Sequence, residues 1–226
     1  MEGRARTWPR WAGALVGGLL LASPSARAEE ARQAAASGHE HCHPAGPRPD
    51  GAAANAEVGA TGGRYVRSER SYAVPDVTLV DEADRPVRLR ELLAADEPVM
   101  LNFIFTTCTA ICPVMSRIFA RVPLELGRRA ERLRLISISI DPEQDTPKRL
   151  RAYAERFGAG PRWRFLTGSV EDVKAVERAF DAYRGDKMNH RPLTLLRPAV
   201  GRPWVRLDGF ASPAELAREY EKVASR

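Results

Sequence analysis

The chain has 226 residues, 44% of them hydrophobic and 28% charged, with 35 Lys+Arg against 29 Asp+Glu for a net charge of +6. That balance excludes wholesale disorder and a multi-span membrane protein, and three cysteines exclude a disulfide-dense scaffold. Arg4, Arg6, Arg10 and Arg27 against Glu2 put half of the positive excess in the first 28 residues, so the rest is no nucleic-acid footprint and no nucleic-acid partner is expected.

Residues 1–28 read as a secretory signal peptide. Arg4, Arg6 and Arg10 form a basic start, Trp11 to Ala22 a short apolar core, and Pro24 a helix break. Ala26-Arg27-Ala28 supplies an A-x-A cleavage site. The apolar run is shorter than the ~18 residues of a spanning helix, so cleavage after Ala28 is expected, with an uncleaved anchor as the alternative. No membrane span is expected after cleavage. The mature chain is expected in a bacterial periplasm, where thiols oxidise unless kept reduced. Residues 29–63 are Ala-, Gly- and Pro-rich and read as a flexible tail.

Residues 64–226 are assigned to the folded domain, with its first element expected near Tyr72. Val77 to Val80 and Val87 to Leu89 read as a hairpin around Asp81 to Asp84, followed by a helical turn from Arg90 to Ala95. Val99 to Phe105 and Leu133 to Ile140 are nearly continuous apolar runs, as in strands buried on both faces. Between them, Val114 to Gly127 has helical spacing, with Pro123 expected to kink or end the helix. Thr146 to Phe157 and Ser169 to Tyr183 read as helices around a short strand at Arg164 to Leu166. Leu193 to Leu196 and Val205 to Leu207 pair across a turn at Gly201, and a helix from Ser212 to Ala224 closes the chain. The expected fold is α/β and thioredoxin-like, with a mixed central sheet flanked by helices and an N-terminal β-hairpin.

Cys108 and Cys112 lie in Thr106-Thr107-Cys108-Thr109-Ala110-Ile111-Cys112-Pro113, between a buried strand and a helix. At the helix start, the dipole and free N–H groups are expected to lower the Cys112 pKa. Two sulfurs at this spacing could close a disulfide or share one soft metal ion. A disulfide over so small a loop would remove little chain entropy, which favours a functional pair.

His190 precedes the strand from Leu193. In a thioredoxin-like sheet that loop lies beside the cysteine loop, and two thiolates with one imidazole suit copper. Met188 is a weaker thioether candidate. In Asp141-Pro142-Glu143-Gln144-Asp145-Thr146-Pro147, Asp145 and Thr146 are expected to cap the following helix, leaving Asp141 to contact the cysteine loop.

With these residues in register the sequence resembles the SCO/SenC family of copper-binding, thioredoxin-fold proteins. The resemblance runs from about Tyr72 to the C-terminus. It rests on Cys108-x-x-x-Cys112-Pro113, on Ser139-Ile140-Asp141-Pro142 with Asp145-Thr146-Pro147, on Trp163-x-Phe165-Leu166-Thr167-Gly168, and on His190 before a strand. It implies copper ligation by Cys108, Cys112 and His190, and a Cys108–Cys112 disulfide in the oxidised pair. It also implies a chaperone role: delivering copper to the binuclear centre of cytochrome c oxidase, or keeping that centre's thiols reduced. The implied partner is the oxidase's copper-centre subunit, or another periplasmic cuproprotein or thiol protein.

The chain departs from the family pattern at Asn189 and Arg191, and where Arg197-Pro198-Ala199-Val200-Gly201 replaces an acidic turn. An arginine beside the site would offset the negative charge of a Cu(I)-dithiolate. The Arg191-Pro192 bond is open to either isomer. In the tail, His39, His41, Cys42 and His43 form a compact cluster whose imidazole and thiolate groups suit copper or zinc, an auxiliary metal site. An intermolecular disulfide through Cys42 is the alternative. The competing function is a thiol-disulfide oxidoreductase using Cys108 and Cys112 as catalytic pair. A thiol peroxidase, with Thr107, Thr109 or Arg191 activating a cysteine, is a third reading.

Overall fold

The computed structural model describes residues 65–224. Residues 1–28, read as a signal peptide, and residues 29–63, read as a tail with its His/Cys cluster, lie outside the described residues. Among the described residues no helix is long and apolar enough to cross a membrane.

Eight strands form one mixed sheet. They are β1 (Tyr65–Arg70), β2 (Thr78–Asp81), β3 (Pro86–Arg88), β4 (Val99–Ile104), β5 (Arg134–Ser139), β6 (Trp163–Thr167), β7 (Leu193–Arg197) and β8 (Trp204–Gly209), in the spatial order β1-β8-β7-β4-β5-β6-β2-β3. The helices are α1 (Leu89–Ala94), α2 (Ile111–Leu126), α3 (Pro147–Arg156), α4 (Val170–Ala179) and α5 (Pro213–Ala224). β1 is an element that the sequence pattern did not reveal. It pairs antiparallel with β8 from Tyr65 to Arg70, but only Ser68 in it is buried, so it lacks the apolar signal of a strand.

β4 is buried along its whole length, which explains its unbroken apolar run. Its alternate side chains serve two cores. Met100 and Ile104 join Phe119 of α2, Tyr153 of α3 and Tyr220 of α5. Leu101 and Phe103 join Leu93 of α1 and Val173 and Val176 of α4 on the other face. α2 runs on through Pro123 rather than stopping there. It ends at Gly127, which takes a positive φ of 55° while its N–H donates to the Pro123 carbonyl.

Register places the functional loops. β4 and β5 are parallel, with Ile104 opposite Ser139, so both chains leave the same end of the sheet. β7 runs antiparallel to β4, with Asn102 opposite Thr194, so the chain enters β7 at that same end. The segments after β4, after β5 and before β7 therefore converge. They contain Cys108 and Cys112, Asp141 and Asp145, and His190.

Candidate metal and thiol site

A hollow of about 180 Å³ opens at this end of the sheet, lined by Phe105, Cys108, Lys187, Met188 and His190, with Thr107 to Ile111 completing one wall. Cys112 lies beneath it, fully buried, while Cys108 is partly exposed. Both are free thiols. The Cys112 backbone N–H donates to the Cys108 sulfur at 3.4 Å, and the Phe105 N–H to the Cys112 sulfur at 3.4 Å.

This geometry reverses the expectation for Cys112. Burial pushes its thiol well above the ordinary range, and the neighbouring Cys108 and Asp145 add to the rise. The free N–H groups of the α2 start serve Cys108 instead. Burial works to raise that thiol too, but the N–H groups of Cys112, Ala110 and Ile111 outweigh it and lower its pKa. The sulfur that benefits from the helix start is thus the one just before the helix, since its side chain lies over the orphan donors.

His190 follows a 3₁₀ turn at Lys187–Asn189. Its ring accepts no neighbour at Nε2, which is buried without a hydrogen-bond partner, while a ring N–H donates to the Phe103 backbone. Burial lowers its pKa to about 4, so the imidazole is neutral at ordinary pH, as a metal ligand must be. Its ring stands edge-on to Phe105 at 6.4 Å between centroids. Met188 is 74% exposed on the rim. Among the described residues no group of three or more His, Cys, Asp or Glu is already arranged to hold a metal ion. Cys108 and His190 share one hollow and Cys112 lies under it, but the donors are not drawn into a closed cage. The donor chemistry, two sulfurs and an orphaned imidazole nitrogen, fits a soft ion such as Cu(I).

Two acids depart from the roles expected of them. Thr146 caps α3, its hydroxyl accepting from the Arg149 N–H, but Asp145 does not. Asp145 is fully buried and accepts from the Thr106 N–H at 3.0 Å, from the Thr106 hydroxyl, and from the Ser139 hydroxyl at 2.6 Å. It is therefore Asp145 that anchors the cysteine loop. Asp141 instead pairs with Lys187 at 2.6 Å, tying the β5 end to the segment that bears His190. Lys187 also lies over the Phe105 ring at 5.8 Å. The positive charge lining the hollow is thus Lys187, not Arg191, which is exposed and lines a small adjoining crevice with His190, Arg206 and Asp208. The position of Lys187 three residues before His190, in a chain with so few lysines, was the available signal. Among the described residues no peptide bond is cis, so Arg191–Pro192 is trans.

The SCO1/SenC family model matches residues 67–225. The chain belongs to the SCO1/SenC family. It is 34% identical over 110 residues to the SCO1 protein homolog of Bacillus subtilis, which covers 48% of this chain and 56% of that protein. It is 28% identical over 119 residues to Protein SenC of Rhodobacter capsulatus, covering 53% of this chain and 52% of that protein. The chain thus spans about half the length of these SCO1/SenC relatives. BsSco is a member of the Sco family of cytochrome c oxidase assembly proteins in which a disulfide switch was identified. Its structure matches with a TM-score of 0.59 and 25% identity, over 70% of this chain and 96% of that one. ScoI of Bradyrhizobium japonicum, solved with copper bound, shares the fold with a TM-score of 0.55 and 24% identity, over 67% of this chain and 99% of that one. These SCO/SenC structures bear out the α/β, thioredoxin-like fold expected from the sequence.

Proposed function

We propose that this SCO1/SenC protein is a periplasmic copper chaperone, with Cys108, Cys112 and His190 as its copper ligands and copper as its cargo. The observation that carries this reading is the meeting of Cys108 and His190 in one hollow above Cys112, with His190 Nε2 buried and unpartnered. Burying such a nitrogen without a partner costs about 1–3 kcal/mol, a cost that a bound soft ion would remove. The donors are gathered but not closed, so loading requires the cysteine loop and the His190 segment to draw together. The same movement in reverse opens the ion to a partner's ligands. The proposed recipient is the copper-centre subunit of cytochrome c oxidase, in keeping with the family role named for BsSco. The cluster of His39, His41, Cys42 and His43 is proposed as an auxiliary copper site. The test is anaerobic Cu(I) titration against a competing chelator. His190→Ala should weaken one-to-one binding more than about tenfold, or ~1.4 kcal/mol; unchanged affinity would sink the ligand assignment.

A second reading, thiol-disulfide exchange, is favoured by the asymmetry of the two thiols. Cys108, partly exposed and lowered, would attack a partner disulfide and release one partner thiolate. Cys112 would then attack the Cys108 sulfur of the mixed disulfide, releasing the second partner thiolate. The partner gains two electrons and the pair becomes the Cys108–Cys112 disulfide. Partner reduction that survives His190→Ala while copper binding is weak would favour this reading. For a thiol peroxidase, Thr107 and Thr109 line the hollow but Arg191 does not.

A further inference from the structure

A second cavity, of about 380 Å³, lies behind the segment that bears His190. Ile140, Val170 and Val173 give it an apolar wall, and it shares Lys187 and His190 with the cysteine hollow. Glu177 of α4 lines it and is only 7% exposed. Among the described residues its carboxylate has no protein hydrogen bond and no ion pair, and its oxygens face the cavity rather than being sealed in the core. Exposed Glu143 and Asp186 stand on the same lining.

Of the cations around the cavity, one is ion-paired. Lys187 pairs with Asp141, and Arg184 donates to the carbonyls of Tyr183 and Asp181. Lys174 and Arg184 keep their charges, but with Asp141 and Lys187 paired the lining still holds three acids, Glu143, Glu177 and Asp186, against these two cations. A cation on an aliphatic stem suits this lining. Its stem lies on Ile140, Val170 and Val173, and its head reaches an acceptor that now lacks a donor.

We propose that this cavity receives a lysine or arginine side chain presented by the partner protein that covers the Cys108–His190 hollow, with Glu177 as its acceptor. The choice of a partner's side chain over a free small cation rests on the chaperone reading, because a protein covering one hollow covers the other. Recognition of the cation itself does not depend on copper. Burial holds Glu177 up to about 7 despite Lys174, Arg178 and Arg184 nearby, consistent with a carboxyl that lacks a stabilising donor.

The test uses the metal-free full chain with n-butylguanidinium, a capped Gly-Arg-Gly peptide and its citrulline counterpart, followed by calorimetry and by amide shifts in α4. Butylguanidinium and the arginine peptide should bind saturably, the citrulline peptide at least tenfold more weakly. Glu177→Gln should weaken both cations at least tenfold. Val170→Phe, which fills the apolar wall and leaves Glu177 in place, should do the same and decides the matter if the first variant does not fold. No saturable binding, or equal binding by the citrulline peptide or by the folded variants, overturns the site. Binding of butylguanidinium without the arginine peptide overturns the partner's side chain as occupant. Because copper is absent throughout, this result is independent of the ligand assignment above.

Discussion

Asp145 accepts hydrogen bonds from both the backbone N–H and the hydroxyl of Thr106, two residues before Cys108. A fully buried carboxylate in the segment after β5 thereby fixes the loop that leaves β4. The Ser139 hydroxyl completes the set, so three donors converge on one acid. Asp145→Ala should strand the Thr106 and Ser139 donors and cost on the order of 3–5 kcal/mol in urea denaturation. Asp145→Asn keeps two acceptor sites on its carbonyl and should cost less. Equal stability of the alanine variant would show that Asp145 does not hold the loop.

The two cysteines should differ in reactivity. Cys108 is lowered by three backbone N–H groups and partly exposed, whereas Cys112 is buried and raised. Thiolate is the reactive form, so alkylation of the reduced protein near neutral pH should fall on Cys108 first. Cys112→Ser should retain the fast reaction and Cys108→Ser should lose it. Rapid modification of Cys112 in the folded Cys108→Ser variant would contradict the assignment.

The Lys187–Asp141 pair should act as a latch on the segment bearing His190. The Asn189 and His190 N–H groups close the 3₁₀ turn on Asp186 and Lys187. Lys187→Ala should speed hydrogen exchange at those two amides by several-fold and leave β4 and β5 unchanged. The pair is partly exposed, so global stability should move little. Unchanged exchange would mean that Lys187 does not hold the segment.

Glu177 sets a pH dependence. Its folded pKa, about 7, lies above the ordinary 4.5. A carboxyl raised on folding contributes fully below its unfolded pKa, and that contribution is lost as pH rises through the folded one. Above pH ~7 the native state therefore carries a buried carboxylate at a cost of at most about 3 kcal/mol. Glu177→Gln should gain on the wild type as pH rises from about 5 to about 8. A gain that is the same at both pH values would show that Glu177 does not titrate with folding.

Much of the domain was legible because its central strands are buried on both faces. The apolar run from Val99 suits a strand buried on both faces, and its position puts Cys108 just beyond the sheet. His190 could be placed beside Cys108 because topology alone dictates that proximity. β1 was hidden because an edge strand with one buried residue has no apolar alternation. The transfer of the loop-anchoring role from Asp141 to Asp145 was hidden for another reason. An acid before a proline-led helix looks like a cap, and only the three-dimensional approach of Thr106 reveals the stronger set of donors. The reversal at Cys112 has the same origin. Sequence locates the helix start, but burial and the side-chain direction of Cys108 decide which sulfur is favoured.

The central claim is that one copper ion is held by both sulfurs and the His190 imidazole. X-ray absorption of the Cu(I)-loaded protein, with residues 29–63 deleted so that the tail cluster cannot contribute, counts those ligands directly. Two sulfur neighbours and one nitrogen are expected, with the nitrogen lost in His190→Ala and one sulfur lost in Cys108→Ser or Cys112→Ser. A copper shell of sulfur alone in the unmutated domain, or a nitrogen that survives His190→Ala, would contradict the claim.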